Sequence, residues 1–245
     1  MVTKNQIKLI KSLHQKKYRK QHQLFIAEGV KVIQELLNSN LKLEYLYVTE
    51  ALSFDVSDDQ INLISTDDLK KMTALNTPNN CLAVFKMPEP TKIDYEKLVV
   101  ALDTVRDPGN MGTIIRLCDW FGVKDIICSS ETVDLFNPKV VQATMGSLSR
   151  VNVTYGDLAS MLAESNSECI FGTFMDGASI YQEQLPDSGI LVLGNEANGI
   201  SPAIEQLVQQ RLTIPRFGDL QQTESLNVAM ATAICLSEFK RISEK

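Results

Sequence analysis

Five residues in the second half of the chain carry groups that could act on a bound ligand: Asn110, Arg116, Glu196, Ser225 and Asn227. The arginine and the carboxylate supply fixed charge, while the amides and the hydroxyl supply directed hydrogen bonds. Their local sequences place them where strands end. The apolar run Leu98–Leu102 leads into a segment in which Pro108-Gly109 suits a turn that opens a helix; Asn110 and Arg116, six positions apart, need not share its face. The run Ile190–Leu193 ends at Gly194-Asn195-Glu196, which sets a carboxylate at the carboxyl edge of a strand, where open α/β sheets bind ligands. A third run, Leu212-Thr213-Ile214, turns sharply at Pro215. After a polar loop comes Ser225-Leu226-Asn227-Val228-Ala229, with Ser225 as a candidate N-cap of a long final helix. Each residue also has an ordinary structural use: Asn110 in a turn, Asn227 in a first helical turn, Glu196 as a surface carboxylate, Arg116 as a solvated helix charge. Their joint occurrence is what points to a site. Gly109-Asn110-Met111-Gly112-Thr113-Ile114 fails the GxGxxG template, which counts against a nicotinamide-dependent oxidoreductase.

The elements that must position these residues can be read from periodicity. Strand-like runs at 98–102, 123–128, 151–154, 169–173, 190–194 and 211–214 alternate with helical stretches, the pattern of a mostly parallel sheet covered on both faces. Upstream, Ile7, Ile10 and Leu13 recur at helical spacing; a basic loop, Lys16-Lys17-Tyr18-Arg19-Lys20, then precedes a strand at Leu24–Ala27. Val30, Ile33, Leu36 and Leu37 define a second helix, strands follow at 43–48, 61–64 and 81–86, and Ser65 caps a short helix between the last two. The two prolines of Met87-Pro88-Glu89-Pro90-Thr91 remove two backbone donors, so this segment reads as a linker. The expected organisation is an α/β chain with a small N-terminal domain over 1–88, a linker over 89–96 and a larger domain over 97–245.

Composition narrows the setting. A chain of 245 residues, 44% hydrophobic and 22% charged, is that of a globular protein, and it has no apolar run long enough to span a membrane. The five cysteines are odd in number, widely spaced and never CxxC, which reads as reduced thiols without a disulfide framework or structural metal. Lys4, Lys8 and Lys11 are not followed by a sustained apolar segment, so a cytoplasmic protein is expected. The net charge of −6 hides an asymmetry: residues 1–25 hold seven Lys/Arg and no acid, and the remaining 17 basic against 30 acidic residues carry −13. Positive charge is thus concentrated where an RNA-binding arm, or simply a solvated terminal tail, would carry it.

With these residues in view, the chain resembles the SpoU family of RNA 2'-O-ribose methyltransferases, TrmH-like members of the SPOUT superfamily. The resemblance rests on NxGxxxR as Asn110-Met111-Gly112-Thr113-Ile114-Ile115-Arg116, LGNE as Leu193–Glu196, and Ile214-Pro215 followed by Ser225–Ala229. Lys16-Lys17-Tyr18-Arg19 with Phe25–Gly29 is similar to the substrate-binding domain that precedes many such enzymes, so the likeness covers essentially the whole chain. It implies an N-terminal fold like ribosomal protein L30e and a C-terminal domain tied in a trefoil knot; knots are rare, and the resemblance alone implies this one. It also implies S-adenosylmethionine as methyl donor, ribosomal or transfer RNA as substrate, and a homodimer formed through the C-terminal domain. By the same resemblance, Gly194, Ile214 and Leu226, with Leu193 and Thr173, would hold the cofactor. Arg116, supplied by the partner subunit, would meet the ribose hydroxyl and phosphate, and Asn110, Glu196, Ser225 and Asn227 would orient it and the nucleotide. A guanidinium is almost never neutral at pH 7, which favours stabilisation of oxyanion charge by Arg116 over proton abstraction. Lys16, Lys17, Arg19 and Lys20 would dock phosphates. The loop 215–224 is longer than is usual in the family and carries Arg216 where Met is frequent. The rival reading on the same fold is a non-catalytic RNA-binding protein.

Overall fold

The computed structural model describes residues 2–165, 167, 169–218 and 225–241. Most of the long loop before the last helix, residues 219–224, lies outside these. The chain divides into two compact units, residues 1–89 with 134–150, and residues 90–133 with 151–245.

In the first unit, α1 (Lys4–Ser12) starts at Thr3, whose hydroxyl and backbone exchange hydrogen bonds with Gln6 in a capping box. The basic run is not a loop but α2 (Lys16–His22), closed by Gln23 in the left-handed conformation at φ 53°. Lysine and arginine are good helix formers, so charge without apolar periodicity was compatible with a helix all along. Next come β1 (Leu24–Glu28), α3 (Val30–Leu37), β2 (Leu43–Val48), β3 (Ile61–Leu63), α4 (Thr66–Met72) and β4 (Cys81–Lys86). Ser65 caps α4 by accepting from Asp68 N at 3.1 Å, as its position predicts. The strands form one sheet in the order β1-β4-β2-β3, antiparallel except for the β2–β3 pair. Ile10, Leu13, Tyr47, Leu69 and Met72 are fully buried in its core.

The second unit is built on β5 (Leu98–Leu102), β6 (Asp125–Ser129), β7 (Asn152–Gly156), β8 (Ile170–Ser179), β9 (Gly189–Leu193) and β10 (Gln210–Thr213), all neighbours parallel in the order β10-β8-β9-β5-β6-β7. Every residue of β5, β6 and β9 is buried, which is why these strands read as continuous apolar runs rather than as alternation. Helix α5 (Pro108–Trp120) buries Met111, Ile114, Ile115 and Cys118; the final helix α9 (Val228–Arg241) packs against it, buries Leu236 and Phe239, and sets the Phe239 ring edge-on to Phe171 of β8 at 5.2 Å. Each such buried side chain contributes roughly 1.5–3 kcal/mol, enough to hold the two helix starts in place. Between β6 and β7 the chain forms α6 (Pro138–Thr144), which belongs to the first unit and lies on β1, with Phe136 and Phe25 rings 4.7 Å apart. The remaining short helices of the second unit are α7 (Leu158–Glu164) and α8 (Pro202–Glu205).

Candidate active site

Three elements converge at the carboxyl edge of the parallel sheet. Helix α5 begins with Asp107, whose carboxylate accepts from Asn110 N at 2.8 Å, so the cap fixes the turn that carries Asn110. Helix α9 is capped not by Ser225 but by Asn227, whose Oδ1 accepts from Ala229 N at 2.9 Å and Met230 N at 3.2 Å. Ser225 stands too far upstream, because the helix opens only at Val228. With Oδ1 committed to backbone donors, Asn227 presents Nδ2 outward, and it donates to Asn110 Oδ1 at 2.8 Å. Asn110 then turns its own Nδ2 to Glu196 Oε1 at 2.9 Å. The helix cap thereby sets the orientation of both amides, and the chain of bonds ends on a carboxylate with acceptor capacity to spare.

Glu196 sits on a tight loop that follows β9. At Gly194 a Cβ would come within 2.1 Å of the Gly199 backbone, so only glycine fits. Asn195 and Gly199 exchange two backbone hydrogen bonds of 2.9 Å, with Gly199 at φ 70°. Asn195 Oδ1 accepts from Ala197 N at 2.9 Å and Asn198 N at 3.1 Å, while Nδ2 donates to Thr104 O at 2.7 Å. Buried Asp103 accepts from Ser201 N at 2.7 Å. The loop is therefore stapled at both ends to the β5–α5 connection, which carries Asn110 further along.

Beside the loop opens a cavity of about 810 Å³, within the range of small-molecule sites. Its origin lies in β10, which pairs first with Phe171-Gly172 and then with Ala178-Ser179, leaving residues 173–177 out of the pairing as a wall. Gly177 permits this because its missing Cβ would lie 2.7 Å from the Arg211 and Leu212 backbone. Thr173, Leu193, Gly194, Ile214 and Leu226 all line the cavity, together with Glu196 and Ser225. On the same wall the Arg211 guanidinium lies 3.5 Å from the Phe174 ring centroid and donates to Asp176 and Glu205 at 2.5 Å each. Its hydrogen bond holds the Asp176 carboxyl below the usual carboxylate range. Cys235 lies at the cavity with its thiol pushed up to about 12 by burial, which leaves it protonated and unreactive at neutral pH.

The SpoU rRNA Methylase family model matches residues 97–237, and the MRM3-like substrate binding domain model matches residues 4–83. The chain belongs to the SpoU rRNA methylase family. It is 35% identical over 239 residues to the 23S rRNA (guanosine(2553)-2'-O)-methyltransferase RlmP of Bacillus subtilis, with 94% of each chain covered. A TrmH-family protein from Porphyromonas gingivalis superposes with a TM-score of 0.90 at 39% identity over 99% of both chains. The AdoMet-bound rRNA methyltransferase of Sinorhizobium meliloti superposes with a TM-score of 0.84 at 27% identity, over 99% of this chain and 96% of that one.

In this SpoU-family chain, the structure joins Asn110, Glu196 and Asn227 in one hydrogen-bonded chain and gathers Thr173, Leu193, Gly194, Ile214, Leu226 and Ser225 around one cavity. Arg116 stands apart, about 9 Å along α5 from Asn110 and about 240° around it. It is exposed and makes no hydrogen bond or ion pair among the described residues. In the first unit Lys16, Lys17 and Lys20 are exposed on α2, but Arg19 corrects the expectation. It is 2% exposed; Nη1 donates to Leu13 O at 2.8 Å and His14 O at 2.9 Å, and Nε to Asp134 at 3.0 Å with Nη2 on the same oxygen. Four of its five N–H donors are used, so it holds the fold rather than a phosphate.

Asp103, Thr104 and Asn195 are site-building residues that the sequence reading passed over. An aspartate directly after an apolar strand and an asparagine inside LGNE were visible, but their partners lie 98 and 91 positions away. Among the described residues, no group of three or more His, Cys, Asp or Glu could hold a metal.

Proposed function

We propose that the protein is an S-adenosylmethionine-dependent methyltransferase acting on the ribose 2'-hydroxyl of a nucleotide in ribosomal or transfer RNA. The observation that carries this reading is the cavity whose rim bears Glu196, the end point of the amide chain from Asn227 through Asn110. The cavity fits the methyl donor in kind: apolar walls at Leu193, Ile214 and Leu226, backbone groups at Gly194, and a carboxylate at the rim suited to a cation. S-adenosylmethionine would supply a methyl group already activated by its sulfonium charge. Thr173, Leu193, Gly194, Ile214 and Leu226 would hold it, and Asn110, Glu196, Ser225 and Asn227 would orient the nucleotide and Arg116. Arg116 would stabilise the oxyanion that develops as the hydroxyl loses its proton.

The separation of Arg116 from that chain within one subunit supports its delivery by a second copy. So do Trp120 on α5 and Met230 on α9, 84% and 60% exposed on two helices that pack together. A homodimer through the C-terminal domain would cover them. The threading of the last segment as a trefoil knot belongs to the same reading, supported by family membership. The first unit serves as the RNA-binding domain, with Lys16, Lys17 and Lys20 docking phosphates, and the free cysteines suit a reducing cytoplasm.

Calorimetry and single-turnover assays test the proposal. S-adenosylmethionine should bind to the wild-type protein, and both Arg116→Lys and Arg116→Ala should slow methyl transfer to RNA. Tight RNA binding without any heat from S-adenosylmethionine would instead favour the non-catalytic RNA-binding reading.

A further inference from the structure

Two aromatic rings stand exposed beside the cavity. Phe217 is 82% exposed and Tyr181 42%, with ring centroids 6.4 Å apart and planes inclined by 33°. The residues immediately before them, Arg216 and Ile180, line the cavity wall, as does exposed Met175. Neither ring serves the core. Burying a phenylalanine is worth roughly 1.5–3 kcal/mol, so a ring left this exposed makes little use of its stabilising potential. The exposure of Phe217 leaves its ring open to a flat partner.

We infer that Phe217 and Tyr181 form a stacking platform for an unpaired base of the RNA, next to the nucleotide whose ribose enters the site. This rests on the function proposed above. An enzyme acting on one nucleotide of a folded RNA draws it out of its stack, and the displaced bases need flat apolar surfaces to replace the contacts they lose. Aromatic faces meet that need for any base, and these two stand next to the cavity wall through Ile180 and Arg216. A second copy of the chain is the less fitting occupant, because the exposed apolar residues suited to pairing, Trp120 and Met230, lie on α5 and α9.

The test uses the full-length protein and a short unstructured oligoribonucleotide with a central 2-aminopurine, whose fluorescence falls on stacking. Wild-type protein should quench the probe. Phe217→Ala should lose most of the quench and weaken binding by about 5- to 150-fold, the range of one base–aromatic stack. Phe217→Trp should restore both, and Tyr181→Ala should act in the same direction. Affinity for S-adenosylmethionine and the sedimentation mass should be the same in all variants. Undiminished quenching and affinity in Phe217→Ala would overturn the platform, as would a lost methyl-donor affinity or a changed subunit mass. Failure of the enzymatic reading looks different: wild-type protein would transfer no methyl group, whereas the quench is read without turnover.

Discussion

Arg19 in the first unit and Asn110 in the second each reach far along the chain for a carboxylate, 115 positions to Asp134 and 86 to Glu196. Burial separates their roles. Arg19 lies where water cannot enter, and nearly every donor it owns is matched, because an unmatched charge there would cost several kcal/mol. Glu28 follows the same logic: buried in β1, it accepts from Ala74 N at 2.8 Å and from the Thr73 hydroxyl. The Asn227–Asn110–Glu196 chain lies in the open, and its terminal carboxylate keeps acceptor capacity. A closed network stabilises the fold; an open one, held from one side by a helix cap, can receive a ligand.

The sharpest way to break that contrast is to remove one partner from each network. Arg19→Ala leaves Asp134 without its charge partner and should destabilise the protein by about 3–5 kcal/mol in urea unfolding. An effect confined to the salt dependence of RNA binding would mean that Arg19 is a docking residue after all. Asn110→Ala should instead lower methyl transfer about 100-fold, since the site loses its orientation while no core group is exposed. Its unfolding midpoint should scarcely move. Asn227→Ala should combine a comparable activity loss with about 1 kcal/mol of lost capping, separable by measuring both quantities.

Smaller effects refine the picture. Thr104 is β-branched yet sits at φ 61°, pinned by Ser129 Oγ on its N–H and Asn195 on its carbonyl. Thr104→Asn should raise stability by on the order of 0.5 kcal/mol, because Asn enters the left-handed region more readily. Glu28 gives the pH test. Desolvation raises its carboxyl pKa above the unfolded value of 4.5, so its contribution is full below that value and declines as pH rises through the folded value. The stability of the wild type relative to Glu28→Gln should therefore fall as pH rises above 4.5; an unchanged difference would show that burial does not perturb this carboxyl.

Much of this architecture was legible because it follows local rules. Strands β2, β4 and β5 begin and end where their apolar runs do, and Ser65 caps α4. The polar end of β8 has no hydrophobic pattern to reveal it: only Ala178 and Ser179 pair with β10 there, beyond the stretch that loops out around Gly177. The burial of Arg19 is not legible locally, because a basic run looks the same whether one member is buried or none is, and its partner Asp134 sits in a segment that joins the first unit from between β6 and β7. The site residues could be picked out singly and through family likeness. The amide relay and the staples from Asp103 and Asn195 could not, since they exist only once distant strand ends meet.

The most direct measurement follows the transferred methyl group. RNA incubated with the protein and methyl-labelled S-adenosylmethionine is digested with alkali, which cleaves only next to a free 2'-hydroxyl. The account predicts label in alkali-resistant dinucleotides, at a level cut about 100-fold by Asn110→Ala. Label released in mononucleotides, or no label with any ribosomal or transfer RNA, would contradict it.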